Sequence, residues 1–134
     1  MESPNKLKHL EFIQSVVSRM ASNSFLLKGW GVTLVAALFA LAAKDSNKKY
    51  IVVAYFPVIV FWILDAYFLS QERRFRNLYD GVRPKKDDEI DFSMDTRPFV
   101  DARTSWAAAF FSTTLVVFYG SMVFLMIFVM HFIK

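Results

Sequence analysis

The sequence predicts an all-α membrane protein with three transmembrane helices per chain, an N-terminal amphipathic helix and a homo-oligomeric assembly. Apolar runs cover residues 25–43, 50–69 and 107–133, and they hold one charge (Lys28), one charge (Asp65) and none. At 19, 20 and 27 residues, each run suffices for a hydrocarbon core roughly 30 Å thick, which a helix crosses in about 20 residues. Apolar residues make up 55% of the chain and charged ones 21%, the latter almost all between the runs, so a soluble 134-residue chain would lack the sequence to cover three such helices. The oligomer belongs to the reading in which hydroxyl residues of the third run line a polar path, because three helices alone enclose no pore.

Residues 1–23 read as an amphipathic helix. Leu7, Leu10, Ile13, Val17 and Met20 recur at helical spacing, Phe12 and Val16 widen the stripe, and Lys6, Lys8, Glu11, Gln14 and Arg19 lie opposite. Such a helix lies under the bilayer or packs on neighbouring subunits or a soluble partner. Its length and acidic residues argue against a cleaved signal peptide, although Ala40-Leu41-Ala42 resembles a cleavage site.

Residues 24–69 form a transmembrane hairpin. Gly29, Thr33, Ala36, Ala37, Ala40 and Ala43 share one side of the first span, a small-residue face suited to contact another helix. The second span contains Pro57, which removes a backbone bond and favours a kink, and ends near Asp65. A membrane-depth carboxylate is costly, so Asp65 either pairs with Lys28 at a similar depth, meets interfacial water, or serves an ion path.

Residues 70–106 form a charged helix and loop, with the helix expected to stop at Gly81 before Pro84. Lys85 to Glu89 reads as a solvated turn, and Ile90, Phe92 and Met94 alternating with Asp91, Ser93 and Asp95 suggest a short extended piece. The third span, 107–133, is expected as one helix capped by Asp101 or Thr104. With the N-terminus inside, twelve Lys and Arg fall on the cytoplasmic side and four outside, which predicts a plasma (inner) membrane protein with a cytoplasmic N-terminus. Trp30, Tyr67 and Trp106 at one interface and Tyr50 at the other fit that placement.

Enzyme chemistry lacks its parts. His9 and His131 lie at opposite ends, no nucleophile–base pair or phosphate-binding Gly loop is present, and the absence of cysteine removes disulfides and thiolate metal sites, so neither cofactor nor metal is expected. In the third span, Ser112, Thr113, Thr114, Tyr119 and Ser121 interrupt an apolar sequence. These hydroxyls either bond back to their own helix, or Thr113, Thr114 and Ser121 line a pore with Leu125 and Phe128 as a hydrophobic gate. Arg73, Arg74 and Arg76, extended by Arg83, Lys85, Lys86 and Arg103, form a basic patch beside the membrane. It serves anionic lipid, or a polyanionic ligand such as a nucleotide or short nucleic acid strand, with Phe75 and Tyr79 as stacking faces.

The elements Arg19-Met20, Asn23-Ser24-Phe25 and Lys28-Gly29-Trp30, continuing through the Val- and Ala-rich span to Ala43, resemble a group of small bacterial membrane proteins of anti-phage defence loci. Asp65-Ala66-Tyr67-Phe68 and Arg73-Arg74-Phe75-Arg76-Asn77-Leu78-Tyr79 fit the same group, so the likeness covers about the first 80 residues. Within it, the chain is most similar to the membrane effectors of Hailong-type defence. The resemblance implies a homotetrameric ion channel that depolarises the cell, held closed by a DNA oligomer that a partner nucleotidyltransferase makes. It assigns no ligand residue. A non-conducting membrane anchor or accessory subunit that recruits a soluble partner is the other reading.

Overall fold

The computed structural model describes residues 3–132, and all regular structure among them is helical. Helix α1 spans Pro4–Asp45, α2 Lys49–Val82, α3 Trp106–Phe110 and α4 Thr113–Phe132, with 3-10 turns at Asp87–Glu89, Arg97–Phe99 and Ala102–Thr104. Helices α1, α2 and α4 are long and apolar enough to cross a membrane. Residues 1–2, the last position of the third run (133) and Lys134 lie outside the described residues.

Helix α1 starts at a capped end, where Ser3 Oγ accepts from the Lys6 backbone N–H at 3.1 Å and Pro4 occupies the first turn. No glycine or proline then intervenes before Gly29, and the amphipathic segment runs without a break into the first span. The result is one 42-residue helix, about 63 Å long at 1.5 Å per residue and about twice the hydrocarbon thickness. The amphipathic segment therefore prolongs the axis of the span as a stalk instead of turning along the bilayer surface. Its stripe faces α2: Leu10 and Ile13 are buried with Leu78, Val82 and Ile90, and Phe75, Tyr79 and Phe99 pack around them. Leu7 and Phe12 stay exposed.

Helix α2 passes through Pro57 and leaves the apolar run to form the other half of the stalk. It does not stop at Gly81 as expected. The helix continues to Val82, Arg83 is itself helical, and Gly81 lacks the positive φ of a glycine cap. Gly81 answers a different need, because a Cβ there would lie 2.3 Å from Phe99 Cε1.

That close approach belongs to the return of the chain along α2. Ser70 Oγ donates to the Thr104 carbonyl at 2.5 Å, Arg73 Nη1 to the Arg103 carbonyl at 2.9 Å and Asn77 Nδ2 to the Phe99 carbonyl at 2.9 Å. Positions 70, 73 and 77 share one helical face, so α2 supplies polar partners to a segment whose regular structure is two short 3-10 turns. The extended piece expected around Ile90, Phe92 and Met94 is absent for the same reason: no second strand lies beside it. Side-chain turns replace the ladder, with Asp91 Oδ1 accepting from Ser93 N at 3.1 Å and Ser93 Oγ from Asp95 N at 3.0 Å. Phe92 takes a left-handed φ of 57° and sets its ring edge-on to His9.

The third span is interrupted near its start. Asp101 and Thr104 cap each other within a 3-10 turn, and Ser105 caps the five-residue α3. Helix α4 begins only after Phe111 and Ser112. Two indoles tie this region to α2: Trp62 Nε1 donates to the Phe110 carbonyl at 2.9 Å and Trp106 Nε1 to that of Ile63 at 3.1 Å. Helix α4 then buries Leu115, Tyr119 and Met126 against Val35 and Ala42 of α1 and Ile51, Ala54, Val58 and Ala66 of α2. The small-residue face of α1, Gly29 through Ala43, is exposed, and the intrachain contacts fall on Gly31, Val35 and Ala42 instead.

Candidate functional site

Where α1, α2 and α4 meet near one end of the spans, four polar side chains converge. Asp65 is fully buried and accepts three hydrogen bonds, from Ser24 Oγ, from Lys28 Nζ at 2.6 Å and from Tyr119 Oη at 2.8 Å. Lys28 Nζ also donates to Ser24 Oγ at 2.7 Å. The spacing explains the convergence: Ser24 and Lys28 are four apart and stack on one face of α1, while Tyr119 lies on the buried face of α4 with Leu115 and Met126. Tyr119 is fixed from the other side by Trp62, whose ring lies parallel to it at 5.8 Å and to Phe110 at 4.4 Å. Each of the three spans contributes to one carboxylate, and a charge at membrane depth is tolerated because it is neutralised and bonded.

Beside this node lies a cavity of about 220 Å³ between the three spans, lined by Ser24, Lys28, Glu72 and Thr114 and by the apolar Leu69 and Leu115, with Met20 and Ala21 at its rim. Glu72 is mostly buried and sits 3.7 Å from Arg76.

The residues expected to line a pore all belong to the outside of the bundle. Thr113, Thr114, Ser121, Leu125 and Phe128 are exposed, and Thr113, Ser121 and Phe128 point most directly away from the face of Leu115, Tyr119 and Met126. Thr114 also forms part of the cavity wall. Among the described residues, the hydroxyls of Thr113, Thr114 and Ser121 make no hydrogen bond, unlike Thr33, which bonds back to the Gly29 carbonyl at 2.9 Å.

The basic patch divides. Arg73, Arg76 and Arg103 line a second cavity, of about 150 Å³, together with Asn77, Asp80, Asp101 and Thr104. Burial, and then the positive charge of Arg103, push Arg73 below the usual arginine range, a crowding of cations that a bound anion would relieve. Arg74 is half-buried, away from this cavity, with its Nε enclosed and unpartnered. Arg83, Lys85 and Lys86 cluster at the end of α2, where the Lys85 carbonyl accepts from Lys6 Nζ at 2.8 Å. Arg73, Arg76 and Arg103 thus converge, and the other four are separate from them.

Ser24, Tyr119 and Glu72 carry no mark in the sequence as members of a site with Asp65. Ser24 is four residues before Lys28, a signal available from helical spacing, whereas the partnership of Tyr119 depends on how deep α4 begins after its break. No group of His, Asp and Glu among the described residues suits a metal ion. No family model, curated protein or solved structure matches the chain.

Proposed function

We propose that the chain is the subunit of a homo-oligomeric ion channel in the bacterial inner membrane, a tetramer by the resemblance above, which depolarises the cell in anti-phage defence. The observation that carries this reading is the outer face of α4. A hydroxyl facing hydrocarbon with no partner costs roughly 1–3 kcal/mol, so the unbonded hydroxyls of Thr113 and Ser121 on a lipid-facing surface would be a sizeable penalty. A ring of copies around a common axis would place Thr114 and Ser121 against water and Leu125 and Phe128 at a narrower apolar level. The exposed Gly29–Thr33–Ala36–Ala40 side of α1 supports the same assembly, since small residues let helices of neighbouring copies approach closely.

In this reading the stalk is cytoplasmic, as the excess of Lys and Arg on that side favours. A nucleotide or DNA oligomer made by a partner nucleotidyltransferase holds the channel closed, and the Arg73, Arg76 and Arg103 cavity offers the densest site for its phosphates. Membrane potential read with a voltage-sensitive dye, in cells expressing this chain alone, tests the proposal. Rapid depolarisation, blunted by Ser121→Ala or Thr114→Val, is the expected result. An unchanged potential at good expression would favour the alternative, a non-conducting anchor that recruits a soluble partner through the exposed side of the stalk around Leu7 and Phe12.

A further inference from the structure

The cavity beside Asp65 has a position and a lining that a dry void would not have. Its walls run from Met20, Ala21 and Glu72, outside the apolar runs, to Lys28 and Leu115 within them, so it crosses the boundary between headgroups and hydrocarbon. An ammonium has three donors, and two of those on Lys28 reach Ser24 and Asp65. The Lys28 side chain keeps 18% of its surface accessible while forming part of the cavity wall, so cavity water, beside the Phe118 ring at 5.9 Å, is open to its remaining N–H. The hydroxyl of Thr114 is in the same position, and the Glu72 side chain adds a carboxylate to the wall. The volume, about 220 Å³, corresponds to about seven waters at their liquid volume, and the lining gives them several polar partners.

We propose that this cavity is a water-filled half-channel, open at the stalk side of the membrane, through which water and small cations reach the Lys28–Asp65 pair within each subunit. Its inner end is closed at Lys28, behind which Asp65 is fully buried. The Lys28 charge is neutralised by Asp65, so Glu72 sets the sign of solute that the wall favours, with Arg76 on its outer side moderating the preference. The half-channel rests on the membrane placement of the proposed function but not on conduction, and Thr114 borders both its wall and the outer face of α4.

The chain has no cysteine, so single cysteines report without background. Leu69→Cys and, as a control, Phe56→Cys are introduced into the full chain in oriented membrane vesicles and exposed to small membrane-impermeant thiol reagents from either side. Leu69→Cys should react from the stalk side about tenfold or more faster than Phe56→Cys, exposed on the outside of α2, because a thiol in apolar surroundings is held as the unreactive acid. A cationic reagent should outpace an anionic one of equal size at Leu69→Cys, and Glu72→Gln should remove the difference. Rates at Leu69→Cys no faster than at Phe56→Cys would overturn the half-channel, and equal rates for the two reagents would overturn its preference for cations. Ser121→Cys, on the outer face of α4 and outside the cavity, reads the proposed pore independently, so either idea can fail alone.

Discussion

Lys28–Asp65 and Arg97–Asp95 are pairs of similar length, 2.6 and 2.8 Å, placed in opposite halves of the molecule. The first is surrounded by apolar helices and collects donors from all three spans. The second lies within one turn of a solvent-facing loop and joins residues two apart. The contrast extends to their surroundings. In the stalk, water drives Leu10, Ile13, Leu78 and Val82 together, and polar groups only decorate the joint. Between the spans that drive is missing, since lipid is as apolar as leucine, and fixed polar contacts and close packing must select one arrangement of helices. The same chain therefore uses hydrophobic contact where the solvent is polar and a polar node where the solvent is apolar.

The sharpest break of this comparison is Asp65→Ala. Leaving Lys28 without its counter-charge should cost about 3 kcal/mol, toward the lower end for a buried pair because the cavity keeps the ammonium partly wet. Thermal unfolding in detergent or nanodiscs would show it, and Lys28→Met with Asp65→Leu should recover most of the loss. If the double variant is as unstable as the single one, the pair is not the joint between the spans. Tyr119→Phe keeps the ring between Trp62 and Leu115 and removes one bond to a charged acceptor, with an expected loss of about 1.5–3 kcal/mol in the same assay.

Gly81→Ala tests the stalk. The added Cβ meets the ring of Phe99 at a distance no side chain tolerates, so the returning segment must shift, at about 1–3 kcal/mol. Proteolysis within residues 83–100 should accelerate while the spans stay protected. The smallest effect belongs to Arg97→Gln, which at neutral pH should lower stability only slightly because the pair is solvent-exposed. Its signature lies in acid. The hydrogen bonds and charge of Arg97 hold the Asp95 carboxyl below its usual pKa, so the pair's contribution is present above the ordinary carboxylate value and disappears as pH falls through the lower folded one. The variant and the parent should therefore converge on acidification, and a difference that grows there would contradict this assignment.

Much of the architecture was legible because membrane solvation leaves a long record in sequence. Three apolar runs and two charged intervals are enough to place α1, α2 and α4, and the stripe of Leu10, Ile13 and Val17 marks the buried side of the stalk. The destination of that stripe was not legible, since an interfacial helix and a helix packed on another share one pattern. The break at Phe111 and Ser112 was also hidden, because neither residue is a strong helix breaker; Trp62 and Trp106 tie the region to α2. The basic patch looked continuous because Arg73, Arg74 and Arg76 are adjacent in sequence, but successive residues on a helix point about 100° apart, and only Arg73 and Arg76 turn toward Arg103.

By itself the sequence determined that the chain is a three-span membrane protein, that its charge is gathered outside the spans, and that Asp65 and Lys28 sit at comparable depth. These follow from composition and one-dimensional distance, which lipid and water read directly. Only the tertiary structure decided that Ser24 and Tyr119 complete the bonding of Asp65, that a cavity opens between Lys28 and Glu72, and that the hydroxyls of Thr113 and Ser121 face away from their own bundle. Those facts depend on the rotation of each helix about its axis and on where α4 starts, and both are fixed by contacts between residues far apart in the chain.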